Sequence, residues 1–405
     1  MTIVYLIFLM LAGYCSFKYD GIEEPDAHKT HRYWALCLML ICISGFSYGL
    51  GGDKFVYMEN FDQMPEHIDS LGEYLYFNVL LHSYMPFWSL LNVMAKSWFD
   101  SFYVVQLVQS AFVNIIFCYV VSKYTRRQFM FLIVYFLSGV FFQFNTEVMR
   151  EGLAVAFGLL AIEAWMDKNK WRYFLLVFVG LMFHVSAVLV LVFPFCHFVK
   201  IKRWTLPVAF GAAFTMWVMS DFLASHAASF AVGGIGMLVQ KVITYSFAAS
   251  TLFGFLRSAI TFIILPFIVM YYNLKWTEDE ALRARKEKLM VFCLALSVLA
   301  CAFAGFSRLR SYSEIYNWMF FADFVFTWLW TKERFIVRTV AIVGIVFLTS
   351  LKYFVYYPIN KSHFYDFFIP YTCILDEDRS IFYRHGMHTE ATEGEVSDNN
   401  TRKME

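Results

Sequence analysis

Three short stretches hold most of the side chains able to do chemistry in an otherwise apolar chain. FHVSA, residues 183–187, sets His184 and Ser186 between runs of Leu, Val and Phe. An imidazole there can exchange a proton or donate a hydrogen bond, and an ionisable group within an apolar segment is a functional candidate by default. The plainer reading is a histidine satisfied by a neighbouring helix. VMREGLAVAFGLLAI, residues 148–162, places Arg150 at the opening of an apolar helix, with Asn145 or Thr146 available as its cap. An arginine at a helix N-terminus makes an anion site. The competing reading is an ion pair with Glu147 or Glu151, of which only the i−3 residue Glu147 has helical geometry for contact. GLGGDKFVY, residues 49–57, puts Asp53 and Tyr57 just after a glycine turn. That pattern also describes an ordinary helix end followed by a solvated aspartate.

Further arginines follow. Arg257 lies six residues into its apolar segment, about 9 Å deep at helical rise. Arg308 and Arg310 flank the stretch FSRLRSYSEIY, which also carries Tyr312. Arginines gathered near one face can clamp phosphate through bidentate hydrogen bonds; alternatively they snorkel to the interface. Asp323 is expected to pair with one of them.

The elements that must position these groups are set by composition. The chain has 405 residues, 60% hydrophobic and 16% charged, with mean hydropathy +0.55. Soluble domains are about 45–50% apolar and about 25% charged. The sequence therefore predicts an all-α, polytopic integral membrane protein with about ten to twelve crossings. A net charge of +1 gives no reason to expect a nucleic-acid partner. The eight cysteines are scattered in apolar runs without a C-x-x-C pair, so they read as buried apolar residues rather than a metal site. Neither a metal nor another cofactor is expected. Met1–Phe17 lacks the basic start of a signal peptide and reads as a first membrane helix.

Basic clusters at Lys18–Arg32, Ser122–Arg127, Asp167–Arg172, Val199–Arg203, Leu274–Lys288 and Thr331–Arg334 mark cytoplasmic turns. Crossings then fall near 2–17, 33–50, 101–122, 128–146, 148–166, 204–220, 251–273, 288–306, 315–331 and 335–352, with outer loops at 51–75, 221–250 and 307–314. Two segments resist simple alternation. Tyr74–Lys96 is apolar but broken by His82, Pro86 and Asn92, and reads as re-entrant or interfacial. Trp171–Val199 is basic at both ends but only 29 residues long, where two full crossings need about 40. Two half-helices meeting at FHVSA, the second capped by Ser186, satisfy both constraints; one long tilted helix is the alternative. Residues 1–375 form one membrane domain, and 376–405 a polar, disordered tail. No P-loop, H-E-x-x-H motif or nucleotide-binding domain is present, which argues against ATP as an energy source.

GGDKFVY, MREGLAVAFGLLAI and FHVSAVLVLV, in this order and spacing, resemble the EpsG family of Wzy-like bacterial polysaccharide polymerases. The family pattern matches Gly51, Asp53 and Tyr57; Arg150 and Ala154; Phe183, His184, Ser186 and Ala187. A later arginine–tyrosine element matches Arg308 or Arg310 with Tyr312, and a terminal Pro-Tyr matches Pro370 and Tyr371. The chain departs from the pattern at Ser47, where an arginine is frequent, at Glu151 in place of glutamine, and at Tyr74 in place of a proline after Glu73. The resemblance implies a membrane glycosyltransferase of GT-C-like fold in the bacterial inner (cytoplasmic) membrane. It would polymerise polyprenyl-diphosphate-linked oligosaccharide units of capsule, O-antigen or exopolysaccharide at the outer face. A flippase and a chain-length regulator are the implied protein partners. Lipid-linked glycan ligation and oligosaccharide flipping are the competing functions. Under the polymerase reading, His184, Asp53 and Arg150 are the catalytic candidates. Arg257, Arg308, Arg310, Tyr312, Tyr57 and Ser186 are the substrate-binding ones.

Overall fold

The computed structural model describes residues 3–22, 26–75, 85–219, 251–302, 309–330, 356–357 and 362–375. They are almost wholly helical. The helices are α1 (Ile3–Tyr19), α2 (Ala27–Gly45), α3 (Asp53–Asp62), α4 (Pro86–Phe99), α5 (Phe102–Tyr124), α6 (Gln128–Leu137), α7 (Met149–Met166), α8 (Lys170–Phe183), α9 (Thr205–Val218), α10 (Leu252–Trp276), α11 (Glu280–Ala302) and α12 (Ser311–Trp330). The one strand pair among the described residues is a two-residue antiparallel ribbon, Tyr356–Tyr357 with Ser362–His363. Arg308, the 221–250 loop, the 335–352 segment and the 376–405 tail lie outside the described residues, as do His82 and the centre of the Tyr74–Lys96 segment.

Helices occupy most of the expected crossings. By length and composition, α5 and α10 are long and apolar enough to span a bilayer. A third candidate is the pair Gln128–Leu137 and Val140–Glu147, expected as one straight crossing and bent instead by 78°. The bend falls at Ser138 and Gly139, and Gly139 adopts φ +77°, which only glycine takes up at little cost. Beyond the bend, residues Gln143–Glu147 wind as a π-helix.

The expected hairpin in Trp171–Val199 is present in the backbone. Helix α8 stops at Phe183, and Val185–Phe198 continues as a 3-10 helix. The Tyr173 hydroxyl donates to the Val190 carbonyl at 2.9 Å. Seventeen residues of continuous helix would separate those groups by about 25 Å, so the two halves fold back on each other. The cap differs from expectation. Ser186 Oγ does not close the second half; His184 Nδ1 accepts the Ser186 N–H at 3.3 Å, so the histidine itself is the cap.

The chain divides into two compact units. The first comprises residues 1–160, 174–187 and 328–405. Here α5 carries Gln106, Ser110 and Asn114 at i, i+4 and i+8, all buried. Gln106 Nε2 donates to the carbonyls of Ser44, Gly45 and Ser47 at 2.7–2.9 Å. Ser110 meets Ser44. Asn114 Nδ2 donates to Asn145 Oδ1 at 2.8 Å. Polar side chains act as glue between helices where lipid offers no competing partner. This stripe ties α5 to the end of α2 on one side and to the π-helix on the other.

The second unit comprises residues 161–173 and 188–327. Helices α9, α10 and α11 meet over Ala209, Ala213, Phe255, Ala259, Ile263 and Cys301, small residues letting backbones approach. Asp323 was expected to meet an arginine. It pairs with Lys286 Nζ at 3.1 Å, both side chains buried between α11 and α12. Arg285, beside it, bonds Glu163 at 3.1 Å and Asp167 at 3.0 Å.

The loop orientation is open to a direct test. Lys54 is wholly buried and makes a poor labelling position, whereas Gln63 and Lys202 are exposed. In whole cells, a membrane-impermeant maleimide should label Gln63→Cys and should label Lys202→Cys only after the membrane is opened. Labelling of Lys202→Cys in intact cells, or of Gln63→Cys only in opened ones, would reject the assigned orientation.

Candidate active site

The first unit gathers three of the sequence candidates around a residue from a distant element. Gly51 takes φ +86° and turns the chain into α3. The first turn of α3 leaves backbone N–H groups without intrahelical partners. Glu147, at the end of the π-helix, supplies them: Oε1 accepts the Gly52 N–H at 3.0 Å and Oε2 the Asp53 N–H at 3.2 Å. A carboxylate on a helix N-terminus is favoured by both the hydrogen bonds and the helix dipole. The Tyr57 hydroxyl donates to the Glu147 carbonyl at 3.3 Å. Asp53 and Tyr57 stand at i and i+4 on one face of α3, and the Arg150 guanidinium lies 5.7 Å from the Tyr57 ring centre, a cation–π distance. Asp53, Tyr57, Glu147 and Arg150 thus form one cluster. Burial raises the Tyr57 phenol above its ordinary value, with Arg150 opposing the shift and Asp53 adding to it.

Neither Asn145 nor Thr146 caps α7. Thr146 Oγ1 turns back to the Phe142 carbonyl at 2.7 Å, and Asn145 Nδ2 to that of Phe141 at 2.7 Å. Both are absorbed by the π-helix, the register that brings Glu147 over α3. Such one-turn π segments recur at functional sites.

The turn Phe46–Gly51 is braced from the far end of the chain. Tyr48 N donates to Thr372 O at 2.9 Å, Ile374 N to Phe46 O at 3.0 Å, and Gly51 N to Phe367 O at 3.0 Å. Pro370 and Tyr371 lie inside this strap, and Tyr371 is buried against Tyr5. From beneath, the buried Lys54 donates to Ser47 O at 2.9 Å and Ser47 Oγ at 3.0 Å.

His184 comes to the same end of α7. The short turn after Met166 makes α8 run antiparallel to α7, with Gly180 against the Ala154 carbonyl and Phe157. Phe183 stacks on Phe157 at 5.6 Å. Continuing that register carries His184 to the level of Arg150–Gly152. The imidazole is half-buried, and its Nδ1 lies 2.6 Å from Ser186 Oγ. Because the Ser186 backbone N–H can only donate, Nδ1 acts as an acceptor and a neutral ring carries its proton on Nε2.

In the second unit, Arg310 lies with its guanidinium 3.8 Å from the Phe262 ring centre and 3.7 Å from Glu314 Oε1. Phe262 belongs to a second π segment, Ile260–Ile264, one turn after Arg257. Arg257 is exposed on α10. Tyr312 is wholly buried. No cluster of His, Cys, Asp and Glu able to hold a metal occurs among the described residues.

The EpsG family model matches residues 32–373, a span that covers these elements. The chain belongs to the EpsG family. No curated protein and no solved structure matches it. Membership brings a polysaccharide-polymerase role and lipid-linked oligosaccharide substrates in a membrane.

Local motifs single out Asp53, Tyr57 and Arg150, whereas Glu147 reads from sequence only as a partner for Arg150. No local signal marks its reach to Gly52, since the two stand 95 positions apart. The geometry makes a sharp expectation. A Cβ on Gly51 would stand 2.7 Å from Glu147 Oε1 and 2.8 Å from Thr146. Gly51→Ala should therefore cost about 1–3 kcal/mol from the backbone alone, with more from the clash. Glu147→Ala should cost about 0.5–2 kcal/mol as a lost cap, and Glu147→Gln, which keeps one acceptor, less. Thermal unfolding of the detergent-solubilised protein reads all three. A Gly51→Ala variant as stable as the parent would refute the packing described.

Proposed function

We propose that this EpsG-family protein is an inverting, lipid-linked oligosaccharide polymerase of the bacterial inner membrane. It transfers a growing chain from its polyprenyl diphosphate carrier to an acceptor unit at the outer face, within a GT-C-like polytopic fold. Surface polysaccharide such as capsule, O-antigen or exopolysaccharide is the product class, with a flippase supplying the units and a chain-length regulator acting downstream. The observation that carries the proposal is the cluster of Asp53, Tyr57 and Arg150, with His184 at the same end of α7.

The chemistry assigns each group a task. The acceptor hydroxyl attacks the anomeric carbon, a new C–O bond forms, and the bond to the diphosphate breaks. The departing diphosphate gains negative charge, and Arg150, with its planar fork, stabilises it. Arg257, Arg308 and Arg310 are the further arginines proposed for the carrier phosphates. The hydroxyl proton needs an acceptor; of the cluster's two carboxylates, Glu147 is committed to the backbone of α3, and Asp53 is assigned this role. His184 was the other candidate base. Its Nδ1 is engaged by Ser186, so Nε2–H is the face it turns to a substrate, and we assign it as a hydrogen-bond donor that orients the reacting groups.

One experiment tests these assignments together: glycan length and leaflet location of lipid-linked units in cells, at matched protein level. Arg150→Lys keeps the charge and loses the fork, and should remove most long chains. His184→Ala should leave single repeat units on the outer leaflet, the loss lying in the roughly 10²- to 10⁴-fold range of acid–base and positioning groups. His184→Gln retains an N–H donor and should keep part of the chain extension. A Gln variant as inactive as Ala would return the base role to His184. Full-length polymer from Arg150→Lys and both His184 variants would sink the proposed site, and units trapped on the inner leaflet would indicate a flippase.

A further inference from the structure

A polar cavity lies wholly within the second unit, lined by none of the residues assigned above. It encloses about 410 Å³ and is lined by Ile201, Tyr271, Leu274, Lys275, Arg283 and Glu287. That volume is within the range of about 300–1,000 Å³ typical of small-molecule sites. Its walls have clear origins. Tyr271, Leu274 and Lys275 stand at i, i+3 and i+4, one face of the last turns of α10. Arg283 and Glu287 stand at i and i+4 near the start of α11. Ile201 comes from the link before α9, whose backbone N–H donates to Glu287 Oε1 at 2.8 Å.

The charges are divided in a telling way. Glu287 is tied to the Ile201 backbone. The neighbouring Asp279 is folded onto the N–H groups of Ala281 and Leu282 at 2.8 and 3.2 Å. Neither Lys275 nor Arg283 has a carboxylate within ion-pair distance among the described residues. Both are exposed, as are Lys200 and Lys202 on either side of Ile201, and Glu278 and Glu280 in the turn before α11. The cavity thus offers two unpaired cations above an apolar floor of Ile201, Tyr271 and Leu274.

The same end of α10 carries a belt of aromatics. Tyr271, Tyr272 and Trp276 are each about 40% exposed or more (46%, 42% and 39%) although α10 is an apolar span. Trp276 stacks on Phe324 at 5.7 Å. Tyr and Trp collect at the headgroup level of a bilayer, and cations just beyond a span attract lipid phosphates. A surface that is only solvated has no need of an apolar floor beside its cations.

We propose that this cavity binds the phosphate of an anionic lipid headgroup, with Lys275 and Arg283 on the phosphate and Ile201, Tyr271 and Leu274 against the adjoining glycerol and chain. An inorganic phosphate shares the charged half of this chemistry but not the apolar half.

The test uses full-length protein in a neutral detergent, its thermal unfolding followed as phosphatidylglycerol, phosphatidylcholine or inorganic phosphate is added. Phosphatidylglycerol should raise the unfolding temperature at concentrations where phosphatidylcholine does not. Lys275→Gln and Arg283→Gln should each weaken that response about five-fold, and the pair about 25-fold, from the usual contribution of a cation at a lipid surface. Lys275→Arg should keep it. Both side chains are exposed, so the unfolding temperature without lipid should be unchanged; if the double variant fails to fold, the single variants decide. A response to inorganic phosphate that the same substitutions abolish would keep the phosphate site and give it to a soluble ligand. Equal stabilisation by both lipids, or a phosphatidylglycerol response untouched by the substitutions, would overturn the proposal.

Discussion

The Glu147 carboxylate on the backbone of Gly52 and Asp53 is the contact on which the first unit's cluster depends. It joins the end of a π-helix to the start of α3, two elements far apart in the chain. With it in place, the Tyr57 ring faces Arg150, and Gly51 must remain without a side chain. The shift from α to π winding matters for the same reason. One extra residue in the turn moves Glu147 off the α7 face and over α3, and commits Asn145 and Thr146 to the π-helix carbonyls.

A second constraint explains how irregular backbone is accommodated. Lipid supplies no hydrogen bonds, so any non-helical segment at membrane depth must be satisfied by protein. Three segments show how. The turn Phe46–Gly51 is bonded by the Phe367–Ile374 strap, by Gln106 and by Lys54. The π-helix is bonded by Asn114 and by Gln109, whose Nε2 donates to Phe144 O at 2.8 Å. The hairpin break is capped by the ring of His184. Gln106, Lys54 and Gln109, all buried, each donate to a backbone carbonyl that would otherwise be orphaned. His184 therefore has a structural task as well as the proposed chemical one, and the two use different ring nitrogens.

Both arginine-bearing regions lie beside π segments, Arg150 just after Gln143–Glu147 and Arg310 against Phe262 in Ile260–Ile264. A π turn widens the helix and turns one residue's side chain out of register with its neighbours. At the first it redirects Glu147. At the second it presents Phe262 as a flat support for the Arg310 guanidinium, which lies 3.7 Å from Glu314 Oε1.

Composition alone determined that this chain is helical and apolar, because 60% hydrophobic residues in long runs leave few other ways to satisfy a backbone in lipid. Spacing and charge were enough for the hairpin, since 29 residues with basic ends fit two half-helices and not two crossings. Local motifs put forward Asp53, Tyr57, Arg150 and His184 as candidates. What the sequence left undecided was every contact made at long range. The 78° bend at Gly139, the reach of Glu147 to α3, the pairing of Asp323 with Lys286, and the strap that places Pro370 and Tyr371 beside Gly51 all join residues with no shared period. Periodicity reports which face of a helix is apolar; it carries no information on which other element comes to lie against the polar atoms left over. Only the tertiary structure decides that, because each of these groups takes whichever partner the packing brings within hydrogen-bond distance.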